Sequence, residues 1–166
     1  MSPDKKMIAF VRKGNNLIPN ECDAFTEAEY GNQIWVYEIE SKKEKLLVKG
    51  NLKCDEPEKQ IIDPSHLLFS PDNQTLYFMT SAWVTSGALH AVKIGSAKQN
   101  YIVPANEFEV ISNGQYKGYL IVYQHRYFVG GGTYDWYWLI SPNGREEGPL
   151  GEEITEIQRK YIELET

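Results

Sequence analysis

The chain has 166 residues, with 17 Lys and Arg against 23 Asp and Glu, so its formal charge is −6. Its length suits one domain with a real core, and 42% hydrophobic with 24% charged residues excludes general disorder. The pI of about 5.1 argues against nucleic acid, whose phosphates require a basic surface. No apolar run in the sequence is long enough to insert across a bilayer.

Short runs of apolar, β-branched and aromatic residues recur along the chain, separated by turn residues. This pattern predicts an all-β domain in which tight turns alternate with longer loops. Two tight turns are residues 70–73, Ser-Pro-Asp-Asn, and 141–144, Ser-Pro-Asn-Gly, where proline fixes φ. The predicted strands are residues 7–11, 34–39, 46–48, 67–69, 76–79, 89–94, 101–103, 108–111, 119–124 and 134–140, with a weak segment near 145–150.

The C-terminal tail has a different pattern. Four apolar residues between positions 154 and 164 follow helical spacing, and two glutamates lie in the first turn. These features predict an amphipathic helix over residues 152–163. A final strand over residues 161–164 is the alternative, because Ile162 and Leu164 also alternate with charged residues.

Two cysteines, Cys22 and Cys54, flank the first aromatic strand. They are either free thiols in a reducing compartment or a disulfide that closes a loop of about 30 residues. Their spacing excludes a CxxC redox or zinc motif. No signal peptide is visible, so we expect a periplasmic or secreted location if a leader was removed and a cytoplasmic one otherwise.

An internal repeat organises the chain. Residues 2–10, Ser-Pro-Asp-Lys-Lys-Met-Ile-Ala-Phe, match residues 70–78, Ser-Pro-Asp-Asn-Gln-Thr-Leu-Tyr-Phe, position for position. The sequence here resembles the TolB-type β-propeller repeat, related in architecture to WD repeats, whose blades carry a Phe-Ser-Pro-Asp-Gly turn before a short strand. Asn73 stands where that family prefers glycine. The predicted turn-forming residues are Pro3, Asp4, Pro71 and Asp72.

The resemblance implies about three propeller-like blades of four antiparallel strands. One domain would cover residues 1–150, in units of about 2–50, 65–104 and 107–150, followed by a helix or closing segment over residues 151–166. The first unit lacks its innermost strand, and such an edge is expected to be covered by the C-terminal segment or a partner chain. Closed propellers use about four to eight blades. The chain is therefore a fragment of a longer propeller, half of a ring completed by a homodimer, or a smaller open assembly.

Loops between the second and third strand of each blade, residues 12–33, 80–88 and 125–133, are expected on one rim. Their Trp, Tyr and Arg residues are types that dominate interface hot spots, although Trp83 and Trp136 can equally fill space between blades. Three glycines permit backbone geometry that other residues avoid. The predicted partner-binding residues are Trp83, Thr85, Ser86, His125, Arg126, Tyr127, Asp135 and Trp136, and the predicted turn residues of this rim are Gly130, Gly131 and Gly132.

Catalytic motifs are weak in this sequence. Ser86 with His90 or His125 and Asp135 provides the residue types of a triad, but no Gly-x-Ser-x-Gly elbow surrounds the serine. His66, His90 and His125 lack metal-ligand spacing, and the triple glycine lacks the lysine of a phosphate-binding loop. We therefore expect no enzymatic activity, no cofactor and no metal.

The function implied by the resemblance is a non-catalytic TolB-like module that binds another protein through the loop rim, without nucleic acid or membrane insertion. A narrower alternative is an inhibitor or immunity-type protein that caps a toxic or lytic partner, because acidic charge would steer it to a basic target. A carbohydrate-binding module that stacks sugars on Trp83 and Trp136, or a small hydrolase, are the remaining alternatives.

Overall fold

The computed structural model describes residues 1–14, 32–53 and 55–161, and over these residues the chain is nearly all β. The described residues contain eleven strands, a short 3-10 helix (Pro57–Lys59) and one α-helix. These elements are β1 (Met7–Arg12), β2 (Gln33–Glu38), β3 (Lys43–Lys49), β4 (Ser65–Phe69), β5 (Thr75–Thr80), β6 (Gly87–Lys93), β7 (Gln99–Ala105), β8 (Glu107–Val110), β9 (Leu120–Tyr127), β10 (Thr133–Ile140), β11 (Glu146–Gly151) and α1 (Ile154–Tyr161).

The strands of the described segments form three sheets. The first sheet has the order β1-β2-β3, the second β4-β5-β6-β7 and the third β8-β9-β10-β11, and every neighbouring pair is antiparallel. Within each sheet, strands that are consecutive along the chain are therefore neighbours. The prediction of an all-β chain built from antiparallel sheets is confirmed.

The repeated Ser-Pro-Asp segment is a turn that caps itself with side-chain hydrogen bonds. Ser70 donates its hydroxyl to Asp72 and accepts the backbone N–H of Thr75 at 2.9 Å, and Asp72 accepts the N–H of Gln74 at 2.9 Å. Asn73 follows with φ of +60°, a conformation that asparagine tolerates well. These local bonds fix the direction in which β5 leaves the turn.

The first repeat of this turn has the same bonds. The Ser2 hydroxyl donates to Asp4 at 2.6 Å, and the backbone N–H of Met7 donates to Ser2 Oγ at 2.8 Å. Lys5 takes the left-handed position with φ of +61°. The roles predicted for Pro3, Asp4, Pro71 and Asp72 are therefore consistent with the turns that precede β1 and β5.

A third copy of the turn joins β10 to β11. Ser141 donates its hydroxyl to Asn143 and accepts the N–H of Arg145 at 3.1 Å, while Gly144 has φ of +87°. Asn143 accepts the serine hydroxyl in this turn, as Asp4 and Asp72 do in the other two copies.

The cores lie between the sheets. Ile34 and Val48 of the first sheet pack with Leu76, Phe78 and Val92 of the second sheet. On its other face, the second sheet packs against the third, in a cluster that includes Met79, Leu89, Phe108, Val122 and Trp138. All six residues of β5 are buried because this strand has a sheet on each side.

Helix α1 covers part of the outer face of the third sheet. Ile157 is buried in a cluster with Ile121, Tyr137 and Leu139, and Tyr116 and Tyr161 pack at its margin. The helix thus buries apolar side chains on the face of the third sheet that points away from the second sheet.

Some sequence predictions fall outside the described residues. Cys22, Cys54 and most of the loop 12–33 are among them, so the disulfide stays a prediction. The last residues of the predicted helix 152–163 and the alternative strand at 161–164 also extend past the described segment. The predicted count of about three blades stays a prediction, as do the three alternatives of a longer propeller, a ring shared by a homodimer and a smaller open assembly.

Candidate functional site

A cleft of about 640 Å³ opens at the rim where the second sheet meets the third. The start of β4, the β5–β6 loop and the β7–β8 connection converge there because the antiparallel meander brings these ends to the same edge. We call it the rim cleft. Its lining consists of Ser65, His66, Met79, Thr80, residues 81–87 and residues 105–107.

The β5–β6 loop forms the outer wall of the rim cleft. The backbone N–H of Trp83 donates to the carbonyl of Ser86 at 2.8 Å, which closes a tight turn. The side-chain amide of Gln60 donates to the Ser81 carbonyl at 2.9 Å and ties the loop to the preceding segment. The Trp83 ring lies edge-on to Tyr101 and keeps 38% of its surface exposed. An aromatic surface is therefore held open at the cleft.

His66 provides the opposite side of the rim cleft and has a strained backbone. Its φ is +49°, which is costly for a residue with a side chain, and the pairing of β4 with β5 shifts register at this point. Nε2 lies 2.9 Å from the carbonyl oxygen of Phe108, and the imidazole packs edge-on against the Phe108 ring. Because a carbonyl oxygen only accepts, Nε2 carries the proton of this bond.

Gly87 lets two strands approach each other at the cleft. A Cβ atom on Gly87 would lie 2.7 Å from the carbonyl oxygen of Thr80 and 3.1 Å from the terminal carbon of Met79. Glycine is thus required by packing. Glu107, at the start of β8, contributes an exposed carboxylate to the lining.

A buried histidine lies behind the cleft wall. His90 Nε2 is 3.0 Å from the hydroxyl oxygen of Thr80, and its ring stacks on Phe78. Burial lowers the pKa of His90 from 6.5 to about 4, so the ring is neutral at pH 7. The buried Nδ1 of His90 has no hydrogen-bond partner among the described residues.

The strand residues predicted for the rim fall on two opposite faces. His125 Nδ1 lies 2.7 Å from Asp135 Oδ1, and these cross-strand partners share the face of Ile121, which packs toward α1. Arg126 shares the other face with Val122, which packs toward the second sheet. His125 and Asp135 are brought together, but they do not form one surface with Arg126 and Trp136.

Arg126 is held by several contacts on its own face. Its guanidinium carbon lies 3.5 Å from the centre of the Trp138 ring, and its Nε donates to Gln124 at 2.9 Å. It also forms an ion pair with Glu146. Trp136 donates its indole N–H to Glu152 at 2.9 Å. These contacts give both side chains structural roles in the third sheet.

The β9–β10 hairpin carries the exposed apolar tip of the third sheet. Tyr127, Phe128 and Val129 are exposed, and the Phe128 N–H donates to the Gly132 carbonyl at 3.1 Å. Gly131 and Gly132 have φ of +96° and +86°, whereas Gly130 does not require this region. Two of the three predicted turn glycines thus have conformations that favour glycine.

The residues considered for a catalytic triad are separated in the described part of the chain. Ser86 lines the rim cleft, His90 bonds to Thr80, and His125 pairs with Asp135 on the face that points away from the second sheet. Of the predicted binding residues, Trp83, Thr85 and Ser86 lie in the cleft. His66 and Glu107 were missed by sequence reasoning.

Metal sites and membrane-spanning helices are two further features to consider in the described residues. No three or more His, Cys, Asp or Glu side chains are placed to hold a metal ion. None of the helices found in these segments has both the length and the apolar character needed to cross a bilayer.

Solved structures of β-propeller domains resemble this chain. The propeller domain of the Trilobed protease from Pyrococcus furiosus, described as having an open velcro topology, is 12% identical with a TM-score of 0.53 over 89% of this chain and 40% of that one. Acylaminoacyl peptidase from Pyrococcus horikoshii is 17% identical with a TM-score of 0.54 over 89% of this chain and 24% of that one. An acylaminoacyl peptidase bound to Z-Gly-Gly-Phe-chloromethyl ketone is 16% identical with a TM-score of 0.54 and the same coverage.

These similarities establish the fold. The chain has the fold of a β-propeller domain and spans well under half the length of these structures. No protein-family profile matches it, and no curated protein sequence does. The propeller part of the resemblance is confirmed, whereas the assignment to TolB-type repeats stays a prediction.

The predicted function is wrong. The structural neighbours are propellers of peptidases, so they do not support a TolB-like module that captures another protein through the loop rim, nor the inhibitor, carbohydrate-binding or small-hydrolase alternatives. The repeated turn misled the prediction because its bonds are local to a blade hairpin and carry no information about what the propeller binds.

Proposed function

We propose that this chain is a propeller segment of a peptidase, and that its rim cleft receives unfolded peptide substrates. Cleavage itself is assigned to another domain or subunit of the same enzyme. The observation that carries the proposal is the 640 Å³ rim cleft, in a fold whose structural neighbours are peptidase propellers.

The size and lining of the rim cleft suit a short peptide. Pockets for small ligands typically enclose about 300–1,000 Å³, and this one falls within that range. Hydroxyl and amide groups such as Ser65, Ser86 and Asn106 can hydrogen-bond a peptide backbone, while the open Trp83 ring can pack against an apolar side chain. The carboxylate of Glu107 suits an amino group.

Calorimetric titration with acetyl-Gly-Gly-Phe amide tests the proposal. This probe reproduces the peptide part of the chloromethyl ketone found with an acylaminoacyl peptidase. We expect wild-type protein to bind it and Trp83→Ala to weaken binding about tenfold, the equivalent of about 1.4 kcal/mol. Glu107→Gln should reduce the affinity for the same tripeptide with a free amino terminus but not for the acetylated form.

Trp35→Ala is the matched control. Trp35 lies under the Arg12 guanidinium in the first sheet, away from the cleft, and its indole donates to Gln33 at 2.9 Å. The Trp35→Ala variant should bind the probe like wild type. Circular dichroism should show that the Trp83→Ala and Trp35→Ala variants are both folded. The proposal fails if wild-type protein shows no binding up to about 10 mM probe, or if both tryptophan variants lose affinity equally.

A further inference from the structure

A short segment before β4 is bonded to the start of the β5–β6 loop, which forms the outer wall of the rim cleft. We call residues 60–62, Gln-Ile-Ile, the tether segment. The Gln60 side-chain amide donates to the Ser81 carbonyl at 2.9 Å, and the Ser81 N–H donates to the Ile62 carbonyl at 3.3 Å. The Thr80 hydroxyl donates to the Gln60 carbonyl at 3.4 Å. Three bonds to the tether segment thus fix the point at which the loop leaves β5.

His90 is joined to the same loop from inside the protein. The residue is 1% exposed, and its Nε2 lies 3.0 Å from the Thr80 hydroxyl oxygen. Its ring stands edge-on to the Tyr101 ring with 5.9 Å between centres, and Tyr101 stands edge-on to Trp83 at 6.4 Å. Two separate routes therefore connect this histidine to the loop, one through the Thr80 hydroxyl and one through the Tyr101 ring.

Protonation of His90 leaves a charged N–H without an acceptor. Nδ1 of His90 is buried and has no hydrogen-bond partner in the described part of the chain. One nitrogen carries a proton in the neutral ring, whereas both nitrogens do in the charged ring. The charged ring therefore has an unpaired Nδ1–H whichever tautomer the neutral ring adopts. Because a buried charge with an unpaired donor is costly, protonation favours a state in which the ring meets water.

The groups that surround this ring do not offset its charge. Phe78, which stacks on it, belongs to the apolar core between the first and second sheets. Burial and the charge of Glu58 raise the pKa of Tyr101 to about 12, so Tyr101 is neutral at and below pH 7. Glu58 lies in the 3-10 helix, where Glu56 and Lys59 pair with each other. Burial accordingly lowers the pKa of the histidine to about 4.

We infer that His90 holds the β5–β6 loop in its peptide-binding conformation only while the imidazole is uncharged, so that acidification opens the loop and weakens peptide binding. This inference rests on the proposed function of the rim cleft. The neutral ring fits between Phe78, Thr80 and Tyr101, and the charged ring reaches water when the loop separates from the tether segment. His90 is a positioning residue, because it acts through Thr80 and Tyr101 and does not line the cleft.

Amide exchange at Ser81, followed by NMR without peptide, tests the switch separately from binding. The Ser81 N–H is bonded to the tether segment, so it exchanges when the loop separates from that segment. A histidine with a pKa of about 4 in the closed loop and about 6.5 in the open loop raises the opening constant about 20-fold from pH 7 to pH 5. The protection factor, which corrects for the intrinsic pH dependence of exchange, should fall by the same factor.

Val122 provides the reference amide for this measurement. It lies in β9, paired with β8 on one side and β10 on the other. Local opening of the loop leaves the third sheet folded, so Ser81 should be less protected than Val122 at both pH values. Equal protection of the two amides would mean that the loop opens only when the whole chain unfolds, and would overturn the inference.

Two variants remove the titrating group in different ways. His90→Gln keeps a donor for the Thr80 hydroxyl, and His90→Phe keeps the stack on Phe78. In each variant the Ser81 protection factor should be the same at pH 7 and pH 5 within about twofold. His125→Gln is the matched control, because it removes a histidine that pairs with Asp135 in the third sheet. It should keep the change of about 20-fold.

Peptide binding is measured by calorimetric titration with acetyl-Gly-Gly-Phe amide, which has no titratable group of its own. Wild-type affinity should be at least about twofold lower at pH 5 than at pH 7, as expected when half of the loops are open. The affinity of His90→Gln should be the same at both pH values. If no peptide binds at pH 7, the proposed function fails, and the exchange experiment still decides whether His90 controls the loop.

Two further results would overturn the inference. If His90→Gln and His90→Phe keep the wild-type pH dependence of Ser81 exchange, the dependence belongs to other groups, such as His66 or Glu107 in the cleft. If folded wild-type protein binds the peptide equally well at pH 7 and pH 5, the charge on His90 does not control the cleft.

Discussion

Nε2 of His66 donates a hydrogen bond of 2.9 Å to the carbonyl oxygen of Phe108, which links the first strand of the second sheet to the first strand of the third. His66 lines the rim cleft, so this bond ties the cleft wall to the third sheet. His66 makes this bond from a left-handed backbone conformation. Strain of this kind persists where surrounding contacts determine the conformation.

Substitutions at His66 separate the backbone strain from the ring contacts. His66→Ala should lower the free energy of unfolding by about 2 kcal/mol, because the ring contacts are lost while the strain remains. His66→Gly should be less damaging by about 1 kcal/mol, since glycine adopts φ of +49° without strain. Urea denaturation measures both. Equal destabilisation by the two variants would show that the conformation of His66 is not strained.

Stability should fall between pH 6.5 and pH 4 because of His90. Its pKa is lowered to about 4 in the folded chain, whereas an unfolded histidine takes up a proton below about 6.5. The unfolded state therefore binds more protons in this window, and acidification favours it by up to about 3 kcal/mol. Urea denaturation at a series of pH values measures the slope.

His90→Phe is the variant that tests this assignment. Phenylalanine preserves the stack on Phe78 and removes a buried Nδ1 that lacks a partner, and the Thr80 hydroxyl keeps the Gln60 carbonyl at 3.4 Å. The variant should match wild-type stability at pH 7 within about 1 kcal/mol and lose most of the slope. If the variant keeps the same dependence of unfolding free energy on pH, groups other than His90 cause that dependence.

Asp72 should add acid sensitivity at lower pH. Hydrogen bonds from the Ser70 hydroxyl and the Gln74 N–H lower the pKa of Asp72, so its contribution is complete above about pH 4 and is lost as pH falls further. Asp72→Asn keeps the acceptor, as Asn143 does in the third turn. It should cost about 0.5 kcal/mol at pH 7 and less at pH 2. A constant cost at both pH values would contradict this account.

Arg126 should stabilise the third sheet through its planar guanidinium. Arg126→Lys keeps the charge but loses the stack on Trp138 and the bonds to Gln124, so it should cost about 1–2 kcal/mol in thermal or urea unfolding. Arg145→Lys is the control, because Arg145 is exposed and pairs with Glu147 at the surface. It should leave the free energy of unfolding nearly unchanged, because exposed ion pairs contribute little to stability. Equal costs for the two variants would argue against the stack.

The sequence predicted those parts of the fold that depend on local bonds. The turns at Ser2 and Ser70 could be recognised because every bond that forms them lies within five residues. Strand alternation could also have separated His125 from Arg126, since neighbours in a strand point to opposite faces. That signal was available in the sequence, but the rim prediction did not apply it.

The rim cleft could be predicted only in part. The sequence analysis singled out Trp83 and Ser86 because the β5–β6 loop carries unusual residue types, and both residues line the cleft. The role of His66 depends on Phe108, 42 positions away in the sequence, and on a register shift in β4 that no local pattern indicates. The place of Glu107 in the cleft could not be predicted either. Acidic residues are common at strand ends, and only the fold places this one beside a cleft.

The most direct test of the rim cleft follows the four tryptophan indole N–H signals by NMR during titration with acetyl-Gly-Gly-Phe amide. Trp83 lines the cleft, whereas Trp35, Trp136 and Trp138 lie in strands β2 and β10. If the cleft binds peptide, the Trp83 signal shifts with saturation while the Trp35 signal stays fixed. A Trp83 signal that does not move, or shifts of equal size at Trp35 and Trp83, would contradict the assignment of this cleft as the peptide site.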